Sequence, residues 1–287
     1  METLTLTGIR RTPDAASHAP VRSKEKIPYL FLVILFAASG FSTAQEIELP
    51  WVRIPTGSFN MGCVPEDLSC LDTERPRHHV TISAFDLMRT EITIEQYATF
   101  LSHSGHRAPP LPDFDQGPDH PVVFLTWNDA ATFCEWAGGR LPTEAEWEYS
   151  ARANHDGRIF WWGNEVSREF ANFGAEECCG GAIEGADIWL NTSPVGSFPA
   201  NAFGLYGMTG NVWEWVNAWI TRYPDEPVKD PQPLPSGFLR VMRGGSWLNI
   251  PNVLRLSVRL PFDSGGRTSN TGARCARDAV GLVVSAE

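Results

Sequence analysis

Basic side chains are scarce in this sequence, with 23 Lys and Arg against 34 Asp and Glu over 287 residues, a formal net charge of −11. An acidic chain repels nucleic acid and anionic membrane surfaces, so neither is an expected partner. No apolar run reaches the roughly 20 residues that a spanning helix requires. Internal repeats and low-complexity tracts are absent, which excludes a solenoid or a disordered scaffold. No interior linker divides the chain, so residues 48–287 read as one domain. Regular periodicity is also sparse beyond Arg152. There the chain is rich in glycine, proline and tryptophan, including Trp161, Trp162, Trp189, Trp213, Trp215, Trp219 and Trp247. Large aromatic side chains among many turns suggest a core assembled from irregular loops.

The N-terminus carries a targeting pattern. Arg22, Lys24 and Lys26 precede an apolar stretch from Ile27 to Phe41, followed by Ser42-Thr43-Ala44. A basic region, a short apolar region and small residues before Gln45 predict a signal peptide over residues 1–44 and a periplasmic or secreted product. A retained N-terminal anchor is the alternative, and the membrane is a partner only in that case. No cysteine follows the apolar stretch, which argues against a lipoprotein. Cleavage after Ala44 would leave 18 Lys and Arg against 31 Asp and Glu, a net charge of −13. Behind an export signal, the six cysteines, Cys63, Cys70, Cys134, Cys178, Cys179 and Cys275, are read first as disulfide partners.

Trp51 to Met61 reads as strand with a turn at Thr56-Gly57, and His78 to Leu87 alternates as a half-buried strand, with Phe85 out of phase. His78-His79 stands at a strand edge and lacks the convergent partners of a metal site. Glu91 to Leu101 has helical spacing, residues 102–120 read as a surface loop, and a second helix runs from Asn128 to a stop at Gly138-Gly139. A third opens at Pro142-Thr143, where Thr143 and Glu146 have the spacing of a capping box and Trp147 faces inward.

A series of motifs runs through most of the chain: I-P-T-G-S-F-N-M-G (Ile54 to Gly62), E-R-P-R-H-H-V (Glu74 to Val80), T-E-I-T (Thr90 to Thr93) and V-F-L-T-W-N-D-A (Val123 to Ala130). R-L-P-T-E-A-E-W-E-Y (Arg140 to Tyr149), F-W-W-G-N (Phe160 to Asn164), G-L-Y-G-M-T-G-N-V-W-E-W (Gly204 to Trp215), R-G-G-S-W (Arg243 to Trp247) and T-G-A-R-C (Thr271 to Cys275) follow. In this order they resemble the formylglycine-generating enzyme, or sulfatase-modifying factor, family from about Val52 to Asp278. The resemblance implies a mixed, loop-rich α+β domain related to the C-type lectin fold. It also implies a disulfide between Cys134 and Cys275, and no second family bridge, because its two positions hold Ala151 and Arg259. Cys63 and Cys70 are left either to close on each other or to cross-pair with Cys178 and Cys179, whose own adjacency would strain a direct bond.

The same resemblance implies structural calcium. One site matches Asn172, Phe173, Asp187 and Trp189, and both oxygen-bearing side chains are present. A second matches Glu91, Gly207, Met208, Gly210 and Val212, where Gly207 lacks the side-chain ligand found in the family. The two cysteines that hold copper in the oxidases match Asn249 and Leu254, so a Cu(I) cofactor is not expected. Ser246 and Trp213 match groove positions, and Glu214, Arg243, Asn249 and Arg255 could add polar groups around them.

Three functions follow. The first is an exported binding or accessory maturation factor that takes a peptide, protein or small-molecule ligand in a surface groove. The second is an altered periplasmic enzyme, like relatives in oxidative maturation of the peptide siderophore pyoverdine, with Glu214 as acid or base. The third is the formylglycine-generating oxidase itself, an oxidoreductase whose copper ligands are here replaced.

Overall fold

Pro55 and Thr56 interrupt an otherwise extended N-terminal segment and so define its first two strands, β1 (Trp51–Ile54) and β2 (Gly57–Met61). The structure is a computed structural model describing residues 49–175, 177 and 180–279; the expected leader and the Cys178-Cys179 pair lie outside the described residues. The alternating stretch from His78 makes two strands, not one. It breaks at Ser83-Ala84 into β3 (His78–Ile82) and β4 (Phe85–Met88), which belong to different sheets. The phase slip at Phe85 is the sequence trace of that break.

β4 is the middle strand of an antiparallel sheet, flanked by β1 and by β10 (Ala276–Asp278), and all four of its residues are buried. Asp86 stands opposite Arg53 on one side and Arg277 on the other. Its carboxylate accepts a hydrogen bond from each guanidinium. Burial alone would raise its pKa, but the two arginines win and hold it below the usual carboxylate value.

β2 and β3 pair antiparallel, and β6 (Val228–Lys229) joins β3 in parallel. The third sheet has the order β8 (Leu260–Phe262), β7 (Arg240–Arg243), β5 (Trp213–Trp219), β9 (Thr271–Gly272). Between Arg152 and Trp213 the described residues form no helix and only isolated bridges, in keeping with the loop-rich reading.

Each of the three α-helices among the described residues begins with a reciprocal capping box, which satisfies two backbone N–H groups that would otherwise be orphaned. α1 (Ile94–Ser104) is capped by Thr93 with Gln96 and ends at Gly105, whose φ is 67°. It starts three residues later than Glu91, because Thr93 takes the cap and Glu91 stays in the preceding extended chain. α2 (Trp127–Trp136) is capped by Thr126 with Asp129. α3 (Glu144–Arg152) is capped by Thr143 with Glu146, as its sequence suggests, and all nine of its residues are buried. It packs against β2, β3, β5 and β7 and so sits at the centre of the molecule.

Cys134 on α2 is bonded to Cys275, next to β10, as the resemblance implies. Cys63 and Cys70 close on each other around a short loop, the first of the two pairings left open. The bridges span separations of 141 and 7 residues. Chain-entropy arithmetic gives about 5 kcal/mol for the long loop and about 2.5 kcal/mol for the short one. Serine at Cys134 and Cys275 together should therefore destabilise the protein in urea unfolding about twice as much as serine at Cys63 and Cys70. Equal losses would contradict this account.

Candidate functional site

β7 ends at Arg243, and the chain then turns through Gly244 and Gly245 with φ values of 96° and 74°. Left-handed backbone of this kind favours glycine. At Gly245 there is also no room for a side chain, because an added Cβ would lie 2.6 Å from Leu254 Cδ2. The turn delivers Ser246 into a closed polar network. Its Oγ donates to Asn249 Oδ1 at 2.6 Å and accepts from Asn270 Nδ2 at 2.7 Å. Ser246 is fully buried and Trp213 is 3% exposed, so both hold loops together instead of lining an open groove. Asn249 is the half-buried member of this group. Asn270 had no sequence signal beyond its place just before T-G-A-R-C.

Leu254, at the end of a 3₁₀ turn from Pro251, is 1% exposed and packs with Phe160, Ala171 and Phe173. The two positions matched to copper cysteines thus carry an amide locked to a serine and an isobutyl group in an apolar cluster. Neither fits a soft cuprous ion.

The remaining polar candidates are committed to the interior. Glu214 receives Arg274 at both oxygens, at 2.6 and 2.8 Å, and also the Trp147 indole N–H at 2.8 Å. This carboxylate is 1% exposed and ion-paired to Arg274, so no substrate reaches it from solvent. Arg255 donates to Asp67 at 2.7 Å and to Glu74 at 2.8 and 2.9 Å. Asp67, Cys70 and Glu74 are close enough to suggest a metal cluster, but the guanidinium bridges the two carboxylates and Cys70 is in a disulfide. Arg243 donates to Glu148 on α3 and to the carbonyls of Leu256 and Ser257.

The two positions matched to calcium differ from expectation. At the first, Asp187 is fully buried, and its carboxylate accepts from the N–H groups of Phe173 at 3.1 Å and Trp189 at 3.4 Å. Arg168, which the sequence did not single out, donates to the same carboxylate at 3.0 Å and to the Phe173 carbonyl at 2.6 Å. Burial pushes the Asp187 carboxyl up to about 6 despite these donors. With a guanidinium already on two of the four matched groups, this set does not fit an inorganic cation.

Of the second matched set only Glu91 brings a side-chain oxygen, and the others near it come from Asn172 and Thr209, outside that set. Glu91 Oε2, Asn172 Oδ1 and Thr209 Oγ have no hydrogen-bond partner, and their residues line one cavity of about 10 Å³, with Gly207 beside it. A Cβ on Gly207 would lie 2.5 Å from both Glu91 oxygens, so the carboxylate fills the space of the missing side chain. Arg274 Nη2 stands 3.8 Å from Glu91 Oε2, and a void this small holds one water or one small hard cation. Glu91, Asn172 and Thr209 would hold the ion, whose charge would order the surrounding loops. Met208 and Val212 are buried in the adjoining backbone, and the Gly210 N–H donates to Gly244 O at 2.9 Å.

Fold and site together define a loop-rich α+β domain of the kind related to C-type lectins, built on a G-G-S turn. Residues 40–279 match the model of the sulfatase-modifying factor enzyme 1-like domain, and the chain belongs to that family. It is 34% identical to the formylglycine-generating enzyme of Streptomyces coelicolor, over 79% of this chain and 89% of that one. With the formylglycine-generating enzyme of Bos taurus it shares 33% identity, over 79% of this chain and 74% of the other. Among solved structures it resembles PvdO from Pseudomonas aeruginosa, with a TM-score of 0.69 and 32% identity, covering 80% of this chain and 95% of PvdO.

Arg243 leads to a test of the site's foundation. Burial would raise the Glu148 pKa, but Arg152 and Arg243 outweigh it and hold the carboxyl below its usual value. A depressed folded-state pKa stabilises the protein above about pH 4.5, and that stabilisation is lost as pH falls through the folded value. Glu148→Gln should cost about 3–5 kcal/mol at pH 7, since it strands two buried guanidinium groups. The gap from wild type should narrow below about pH 4.5 in denaturant titrations. A gap independent of pH would contradict the assigned ion pairs.

Proposed function

We propose that this protein is an exported accessory or ligand-binding member of the sulfatase-modifying factor family that does not oxidise cysteine to formylglycine. The observation that carries this reading is the state of the two matched positions: Asn249 Oδ1 is held by Ser246, and Leu254 is part of the core. The two disulfides agree with an oxidising compartment, as does the signal-like leader. A structural calcium ion in the Glu91 cavity belongs to the same reading.

The ligand is a peptide, protein or small molecule. One recess among the described residues is a cavity of about 360 Å³ with Met61, Trp219, Tyr223 and Leu234 on its apolar walls and Glu144 and Arg259 at its polar side. Arg259 and Glu144 bond to each other at 2.6 and 2.8 Å, which leaves recognition largely to apolar contact. Oxidative maturation of a peptide would need a free acid or base, and Glu214 is consumed by Arg274 and Trp147. The binding reading therefore stands ahead of that one.

Purified protein supplied with copper, a thiol reductant and a Cys-x-Pro-x-Arg peptide should consume no oxygen above background and leave the peptide mass unchanged. One tightly held Cu(I) per chain together with aldehyde formation would overturn the proposal.

A further inference from the structure

Arg168 lies in the loop between α3 and β5, with its side chain only 10% exposed. Its Nη1 donates to the Phe173 carbonyl at 2.6 Å and to Asp187 Oδ2 at 3.0 Å, and its Nη2 donates to the Gly174 carbonyl at 2.7 Å. Nε faces the exposed Glu184 carboxylate at 3.4 Å. The guanidinium carbon lies 3.9 Å from the centre of the Phe173 ring, so one face of the cation is also covered. The Phe173 carbonyl and the Asp187 carboxylate are two of the four groups that the resemblance would assign to the first calcium ion.

A third member of that set has turned elsewhere. Asn172 donates its amide to the Asn191 carbonyl at 2.6 Å, and its Oδ1 is one of the unpartnered oxygens of residues lining the Glu91 cavity. We propose that the Arg168 guanidinium replaces the inorganic cation at this position, so that Phe173, Gly174 and Asp187 are held together without metal.

Geometry makes the two occupants exclusive. Calcium sits about 2.3–2.6 Å from each ligand oxygen, and Nη1 already stands 2.6 Å from the Phe173 oxygen. Charge points the same way. Asp187 is the only fully buried carboxylate bonded to Arg168, and one guanidinium neutralises it. With Arg168 in place, a divalent ion would add two positive charges beside a carboxylate that is already neutralised. Chemistry also favours the guanidinium, because its rigid fork of five N–H donors suits a carboxylate flanked by two carbonyls. While it stands there, those oxygens are not free for the six to eight contacts that calcium takes.

The test compares melting temperatures in EDTA and in millimolar calcium, together with metal counting by native mass spectrometry. This proposal does not depend on the binding or accessory role. An ion at Glu91 would shift every variant alike and is removed by taking differences. Arg168→Gln should melt about 5 °C below wild type in EDTA. Calcium should restore at least half of that loss beyond any shift in wild type, because the freed oxygens become a site. Adding Asp187→Asn should abolish the rescue. Arg168→Lys, which keeps a tethered charge, should fold with a smaller loss and show no added calcium response.

Wild-type protein that carries a calcium ion lost in Asp187→Asn but kept in Glu91→Gln would overturn the proposal. So would Arg168→Gln melting as wild type with no extra response to calcium. The mass measurement on wild type decides the matter even if Arg168→Gln does not fold.

Discussion

The ion pairs inside α3 set the position of almost everything else. Glu144 and Glu148 project from a helix with no exposed residue and receive Arg243 and Arg259 from the third sheet and its neighbouring loop. Arg152, one turn along, bonds Glu148 and the Gly62 carbonyl, and the Gly62 N–H donates to the same glutamate. Burying so many charges is costly unless each finds partners, and removing one strands the others. Geometry is the return on that cost. The helix is tied to the end of β2 on one side and to β7 on the other, so the G-G-S turn that follows Arg243 is placed by the core. Trp147 reinforces this, with its ring under Gly244 and its N–H on Glu214.

Seen this way, scaffold and chemistry are separable in this family. Nothing in the α3 network requires thiols at 249 or 254. Asn249 adds a hydrogen bond to the buried Ser246–Asn270 pair, and Leu254 adds apolar burial against Phe160 and Phe173. Both side chains are thus accounted for by contacts within the domain. Function has to be argued from side chains instead of from topology.

Much of the architecture was legible in local sequence because its signals are local. Thr143 and Glu146 announce a helix start by spacing alone, and Phe85 marks a strand break by falling out of phase. Asp86 is different: a carboxylate in the middle of a buried strand looks like a conflict until its two cross-strand arginines are known, and they lie 33 and 191 residues away. The site residues were hidden for the same reason. Ser246 and Glu214 read as groove groups because polar side chains in a motif invite a ligand. Asn270 and Arg274, which occupy them, come from a distant segment. Arg168 gave no warning at all, since neither periodicity nor a motif surrounds it.

The bond from Cys134 to Cys275 and the pairing of β10 with β4 bear on how the chain is assembled. The central strand of the first sheet keeps an open edge until Ala276–Asp278 join it, and Arg277 and Asp86 are 191 residues apart. Closing that sheet is therefore a long-range event, which the entropy of bringing distant segments together makes slow beside the local capping of the helices.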